Sequence, residues 1–357
     1  MPIDELIQQG AHVMTVCNAC RYCEQYCPVF PAMEERLTFA KADLAYLANL
    51  CHNCGECLYA CQYAPPHEFG INVPKTLAEI RLRSYQEYAW PRALGAGFTR
   101  HNVLTGLGLA AVLSAIMAAA VPGGLSPADG SADFYAVVPH GVMVSLFGLV
   151  FLFAVIAMAV GVTRFVRDVR GQTPGQTTGL TPIPFFDALT LRHLHASGAD
   201  CVSAEEQRTP WRRWLHHCTF YGFLLCVAST SVAALYDNVF GWRAPYAYTS
   251  LPVILGTVGG VGLLIGSLGL WILRRRRDVA IGDEAQHGLD ESFLALLFCT
   301  TLTGLALLAL RHQPLMPWLL IVHLGTVLAL FLTLPYGKFV HGLYRVAALV
   351  IAGSAAR

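Results

Sequence analysis

Charge is what this sequence has least of. Asp, Glu, Lys and Arg make up 13% of its 357 residues, against about 25% in soluble domains. That shortage excludes an ordinary soluble protein of this length. Nucleotide signatures are also missing. There is no G-x-G-x-x-G and no G-x₄-G-K-[ST], so no nucleotide or dinucleotide site is implied. No nucleophile stands in a recognisable pattern with a base, so no substrate chemistry of its own is expected. The first residues, MPIDELIQQG, are polar and mildly acidic and read as neither a signal nor a transit peptide. This places the N-terminal part in the cytoplasm, where cysteines stay reduced. A net charge of +1 says nothing either way about nucleic acid.

Against these absences stand twelve cysteines, eight of them within residues 17–61. The spacing is Cys17-x-x-Cys20-x-x-Cys23-x-x-x-Cys27-Pro28, repeated as Cys51-x-x-Cys54-x-x-Cys57-x-x-x-Cys61. This is the run that holds two 4Fe–4S clusters in bacterial ferredoxins, where the fourth cysteine of each run ligates the other cluster. Cys17, Cys20, Cys23 and Cys61 are thereby assigned to one cluster, and Cys51, Cys54, Cys57 and Cys27 to the other. Zinc fits less well, because zinc knuckles pair two C-x₂-C units. Disulfides would need an oxidising compartment. After Cys61 the proline is displaced to Pro65-Pro66, so the second turn departs from the first. Residues 1–13 read as an amphipathic lead-in. Leu37, Ala40, Leu44 and Leu47 fall at helical spacing in residues 34–50. The expected fold of this part is therefore an α-helical ferredoxin-like domain, followed by a polar helix and linker over 67–100.

The rest is apolar, with 55% hydrophobic residues and a mean hydropathy of +0.50 over the chain. Spans of about 20 apolar residues cross a bilayer. Six are read, at roughly 103–121, 138–162, 215–236, 251–273, 291–310 and 317–343. They are separated by Pro122-Gly123-Gly124, the Pro/Thr/Gly-rich 171–184, Gly241 to Pro245, and Pro314 to Pro317. The expected domains are 1–100 (clusters and linker), 101–163 (spans one and two), 164–214 (a cytoplasmic loop) and 215–357 (spans three to six). With the N-terminus inside, the outer loops carry only Arg243 and Arg311 of the 24 lysines and arginines. That is a positive-inside pattern. The chain thus reads as a multi-pass protein of the cell inner membrane. The run Arg274–Arg277 abuts a span and reads as a membrane anchor, so no nucleic-acid partner is expected. The inner loop, with Asp187, His193, His195 and Cys201, reads as a surface packing on the ferredoxin-like part or docking a partner. Its spacings match no standard metal-ligand set.

Ionisable residues inside a membrane mark function by default. His323 and His341 are 18 residues apart, five helical turns and about 27 Å on one helix. One helix would then offer a histidine to each leaflet. The inner one can pair with His217 and the outer one with His140, so that each pair holds a b-type haem within the bundle. One haem or two is left open. His101, His216 and His312 read as interfacial. Cys218, Cys226 and Cys299 read as packing residues. Tyr221, Tyr336 and Lys338 are candidate quinone contacts, with Lys338 expected to snorkel to the headgroups.

The segment from His323 to His341 resembles the last helix of the nitrate reductase gamma (cytochrome b) subunit. That family has two haem-ligating histidines at this spacing, with a Pro-aromatic-x-Lys element before the second. Its other two ligands lie ten residues apart on an earlier helix. Here Val227 stands ten residues after His217, which is why His140 is taken as the substitute. The full arrangement of doubled cysteine motif, six spans, HHCTFYGFLLCVASTSVAALYD and the His323–His341 segment resembles the tricarballylate utilization protein B (citrate utilization B) family over nearly the whole chain. The resemblance implies a membrane electron-transfer protein using 4Fe–4S clusters and haem b. It would reoxidise the flavin of a soluble FAD-dependent tricarballylate dehydrogenase and pass the electrons to the quinone pool. Two other readings exist: a membrane subunit of another quinone-linked reductase of heterodisulfide or nitrate reductase type, or a membrane iron–sulfur sensor. The first often carries CCG motifs, and none occurs here.

Overall fold

In the computed structural model, residues 2–100, 102–121, 125, 133–171, 183–194, 201–202 and 208–355 are described. Regular structure among them is helical apart from one two-residue antiparallel pair, Cys201–Val202 with Arg208–Thr209. The cysteine region is built from α1 (Ile3–Cys20), α2 (Val29–Glu34), α3 (Lys41–Leu50), α4 (Glu56–Tyr59) and α5 (Val73–Tyr88). Asp4 and Glu5 in the first turn of α1 suit the positive end of the helix dipole. Its buried Leu6, Gly10, Val13 and Met14 share one face. The helix runs on past the expected lead-in and delivers Cys17 and Cys20 before Arg21, in the left-handed region at φ 55°, stops it. The helix read over 34–50 is split. Leu37 stands 97% exposed between α2 and α3. Asp43 fixes the start of α3 by accepting from Ala40 N–H at 3.1 Å and from Arg36 Nε at 2.8 Å. In α5, the Asn72 side chain caps Lys75 N–H at 3.1 Å. Helix α5 is a core helix, burying Leu77, Ile80 and Tyr85.

The chain continues through α6 (Arg92–Arg100), α7 (Asn102–Ala120), α8 (Phe134–Val137), α9 (His140–Gly171), α10 (Ile183–Leu189), α11 (Trp211–Asn238), α12 (Leu251–Arg275), α13 (Glu284–Ala309), α14 (Met316–Thr333) and α15 (Val340–Ala355). Six of these, α7, α9, α11, α12, α13 and α14, are long and apolar enough to cross a membrane. The protein is a multi-pass membrane protein. Pro122-Gly123-Gly124 and most of 171–184 lie outside the described residues. Helix α9, 32 residues and so about 48 Å long, outruns a hydrocarbon core of about 30 Å. Its last turns bury Phe165 and Val169 against the cysteine region. Helices α11 and α12 meet backbone to backbone. A Cβ on Gly222 would lie 2.8 Å from the Gly259 carbonyl oxygen, so only glycine permits this contact.

The sixth span differs from expectation. Helix α14 ends at Thr333, and residues 334–339 form turns before α15 begins. Pro335 has no N–H to continue the ladder, and Gly337 N–H closes back on Thr333 O at 2.8 Å. His323 and His341 therefore lie on two helices, and the five-turn, 27 Å relation between them does not hold. Helix α15 joins the cysteine region. Tyr344 stacks on Tyr85 with centroids 5.6 Å apart and packs edge-on to Phe165. The cysteine region sits on one end of the bundle. It contacts the end of α9 through Arg164 to Ala89 O at 3.1 Å and the α14–α15 turn through Tyr336 OH to Trp90 O at 3.0 Å. It also meets the link after α12, where Tyr59 OH donates to Asp278 at 2.7 Å.

Candidate functional site

Eight cysteines gather in two neighbouring pockets. Cys17, Cys20, Cys23 and Cys61 line the first. Cys27, Cys51, Cys54 and Cys57 line the second. Phe30, Val73 and Cys57 belong to both walls, so the pockets share a partition. The first pocket takes Cys17, Cys20 and Cys23 from one run and Cys61 with Cys57 from the other, and the second takes Cys51, Cys54 and Cys57 with Cys27. Backbone shape makes this possible. Asn53 adopts φ 54° and Gly55 φ 93°, left-handed conformations that let the chain curl round a centre.

The chemistry of the donor set suits a cationic cluster. Burial first, then Cys61 and Cys23, pushes the Cys17 thiol up to about 12. Burial, then Cys61 and Cys20, does the same to Cys23. Cys27 and Cys57 are raised by burial and then by Cys54 and Cys51. Four thiolates this close repel one another in an apolar pocket, and a bound metal cluster resolves that repulsion by taking their charge. The residues present therefore fit iron–sulfur clusters.

The second pocket is tied to the membrane helices through its turn. Arg81 of α5 and Arg345 of α15 both donate to the Cys51 carbonyl, each at 2.5 Å. Arg212 of α11 donates to the carbonyls of Asn53 at 3.0 Å and His52 at 3.1 Å. Arg277 also donates to Asn53 O. The Asn53 amide donates to Pro74 O at 2.8 Å and Ile281 O at 3.0 Å. Arg277 is thus more than the membrane anchor expected of its run. Arg274 and Lys338 both pair with Asp290, Lys338 Nζ at 2.9 Å, so Lys338 is held inward and does not reach for headgroups.

The histidines are arranged differently from the expected pairs. His341 faces His216, with ring centroids 6.0 Å apart and planes at 73°. His217 instead stacks on Tyr221 at 5.6 Å. His216 is therefore not interfacial. The Nδ1 of His341 lies 2.5 Å from the Lys338 carbonyl, a contact that fixes the ring and leaves Nε2 for a ligand. His140 pairs with Asp237 and packs edge-on to Tyr135. His323 lies 3.1 Å from Thr300 O and 3.2 Å from Thr303 Oγ1, against Gly304. His140 and His323 each have their own partners in place of the other. His312 is exposed, and His101 and His195 lie outside the described residues. Between α10 and α11, His193 pairs with Asp187 at 3.4 Å, and its ring lies 6.0 Å from His52 of the second pocket. Tyr221 donates to Leu189 O at 2.9 Å. Sequence reasoning missed Arg81, Arg345, Arg212 and His216. The one available signal was the HH dipeptide itself, which leaves open the face each ring takes.

Two family descriptions match the chain: the Citrate utilization protein B Fer4-like domain over residues 10–87 and Citrate utilization protein B over residues 98–357. The chain is 49% identical over 343 residues to the citrate utilization protein B of Escherichia coli, covering 95% of this chain and 89% of that protein. No solved structure matches it.

Proposed function

This chain belongs to the citrate utilization protein B family, and we propose that it carries electrons from a soluble FAD-dependent dehydrogenase, of the tricarballylate type, to the membrane quinone pool. Its Fer4-like domain and its membrane spans make it a membrane iron–sulfur protein with an electron-transfer role. The finer reading rests on one observation. A single turn of α15 carries both Arg345, on the Cys51 carbonyl, and His341, facing His216. Two cysteine pockets and a histidine pair thus follow one another towards the bundle.

In this reading the eight cysteines hold two 4Fe–4S clusters, divided as the pockets divide them. His216 and His341 hold one haem b, in place of His217 and His341. When bound, these groups accept and release single electrons, which lets a two-electron flavin feed a quinone. The cysteines fix the clusters, Phe30 and Val73 keep water out of their partition, and the Lys338 carbonyl orients His341. The arginine-rich ends of the spans support a cytoplasmic cysteine region and spans that cross the cell inner membrane. No nucleotide motif is present, so the flavin belongs to the donor.

The test is composition and turnover of the purified full chain. About eight non-haem iron atoms and one haem per chain are expected. Added quinone should reoxidise the dithionite-reduced haem band. Protein without haem absorbance, or with a haem that quinone leaves reduced, sinks this reading.

A further inference from the structure

The two pockets are not equivalent, and the difference gives electron flow a direction. The second pocket's turn receives guanidinium groups from four separate elements: Arg81 of α5, Arg212 of α11, Arg277 after α12 and Arg345 of α15. Three of the four come from outside the cysteine region. The first pocket is bounded by its own region's residues, Val16, Tyr22, Gln62 and Tyr63 among them. Gln62 reaches Cys20 Sγ at 4.0 Å, and Tyr22 beside it is 66% exposed.

We infer that the pocket of Cys27, Cys51, Cys54 and Cys57 is the exit site, held at the higher reduction potential by its arginine collar, and that the pocket of Cys17, Cys20, Cys23 and Cys61 is the inlet. This rests on the electron-transfer reading above. Reduction adds one negative charge to a cluster. Positive charges a few ångströms away, in a site screened from water, favour the reduced form. Glu56 also lines the second pocket, but four guanidinium groups outweigh one carboxylate. Arg81 is 3% exposed, so its charge is poorly screened by solvent. One electron leaves the inlet cluster and one arrives at the exit cluster, with no proton transferred. The donor of that electron is the reduced flavoprotein, and the acceptor beyond is the haem held by His216 and His341. Arg345 is a positioning residue: it touches a ligand's carbonyl, not the reacting atoms.

The experiment is an EPR-monitored redox titration of the full chain with its clusters in place. Cys20→Ser and Cys54→Ser identify the two signals. In the unmodified protein, the Cys54-dependent signal should have the higher midpoint. Arg345→Gln keeps a hydrogen-bonding side chain and removes the charge. It should weaken electron binding at the Cys54-dependent cluster by about tenfold, 59 mV for a one-electron couple, and leave the Cys20-dependent cluster in place. Arg345→Lys should restore the midpoint, which a merely structural role would not require. Both midpoints falling together, an unmoved Cys54-dependent midpoint, or a reversed order in the unmodified protein would each overturn the inference alone. Absence of both cubane signals from the unmodified protein would overturn the electron-transfer reading and this inference with it.

Discussion

A helix turns 100° per residue, and that single step separates His216 from His217. The sequence shows two adjacent histidines but not which face meets the bundle, so the choice between them was not legible. The structure turns His216 to His341 and His217 to Tyr221. His216→Ala should abolish the haem absorption of the purified protein, and His217→Ala should keep it, as dithionite-reduced minus oxidised spectra will show. That the eight cysteines gather was legible, because their spacing is local. Their environment yields a second prediction. With the clusters stripped and the fold checked by circular dichroism, Cys17 and Cys23, both pushed up to about 12, stay protonated at pH 8. Each then holds about a thousandfold less thiolate than a free cysteine. Iodoacetamide labelling of these two should be correspondingly slow and should quicken about tenfold per pH unit. Asp290 is the third case. It is 8% exposed and holds both Lys338 and Arg274. Asp290→Asn leaves two cations facing a neutral amide and should cost about 3 kcal/mol, read as a lower thermal midpoint in detergent.

Among the elements, length and hydropathy announced five spans closely, because a bilayer demands about 20 apolar residues whatever the packing. The sixth was misread as one helix over 317–343. Its middle, LPYGKF, is apolar enough to pass a hydropathy window, although Pro335 and Gly337 carried the opposite signal. Local turn chemistry prevailed: α14 stops at Thr333 and a new helix begins at Val340. The α11–α12 contact shows the same kind of hidden information. A glycine in an apolar run reads as neutral, but Gly222 and Gly259 each lie against the other's carbonyl, where a Cβ would come within 2.8 Å. Gly222→Leu should therefore force these helices apart. A loss of at least about 1–3 kcal/mol is expected, measured as a lower midpoint of unfolding in detergent. Gly108, with open space beside it, should tolerate the same change.

On the scale of the molecule, the division into a helical cysteine region and a bundle was readable, while their union was not. The contacts that join them are long-range bonds to backbone carbonyls, such as Arg345 to Cys51 across 294 positions, and no spacing rule announces such a bond. A chain ending after Phe339 should still insert its six spans but lose the cluster of the second pocket and, with His341, the haem, so non-haem iron per chain should fall by about half. Helix α15 also bears on how the protein is made. The cysteine region leaves the ribosome first, and domains ordinarily fold in that order. Here Tyr344, Ala348 and Leu349 of α15 belong to the same core as Leu6, Leu44 and Leu77. The region synthesised first is thus completed by a helix that emerges after the last span. Assembly factors that load iron would meet a finished second pocket only once translation has passed α15, and a prematurely terminated chain would reach the bilayer unable to be loaded there.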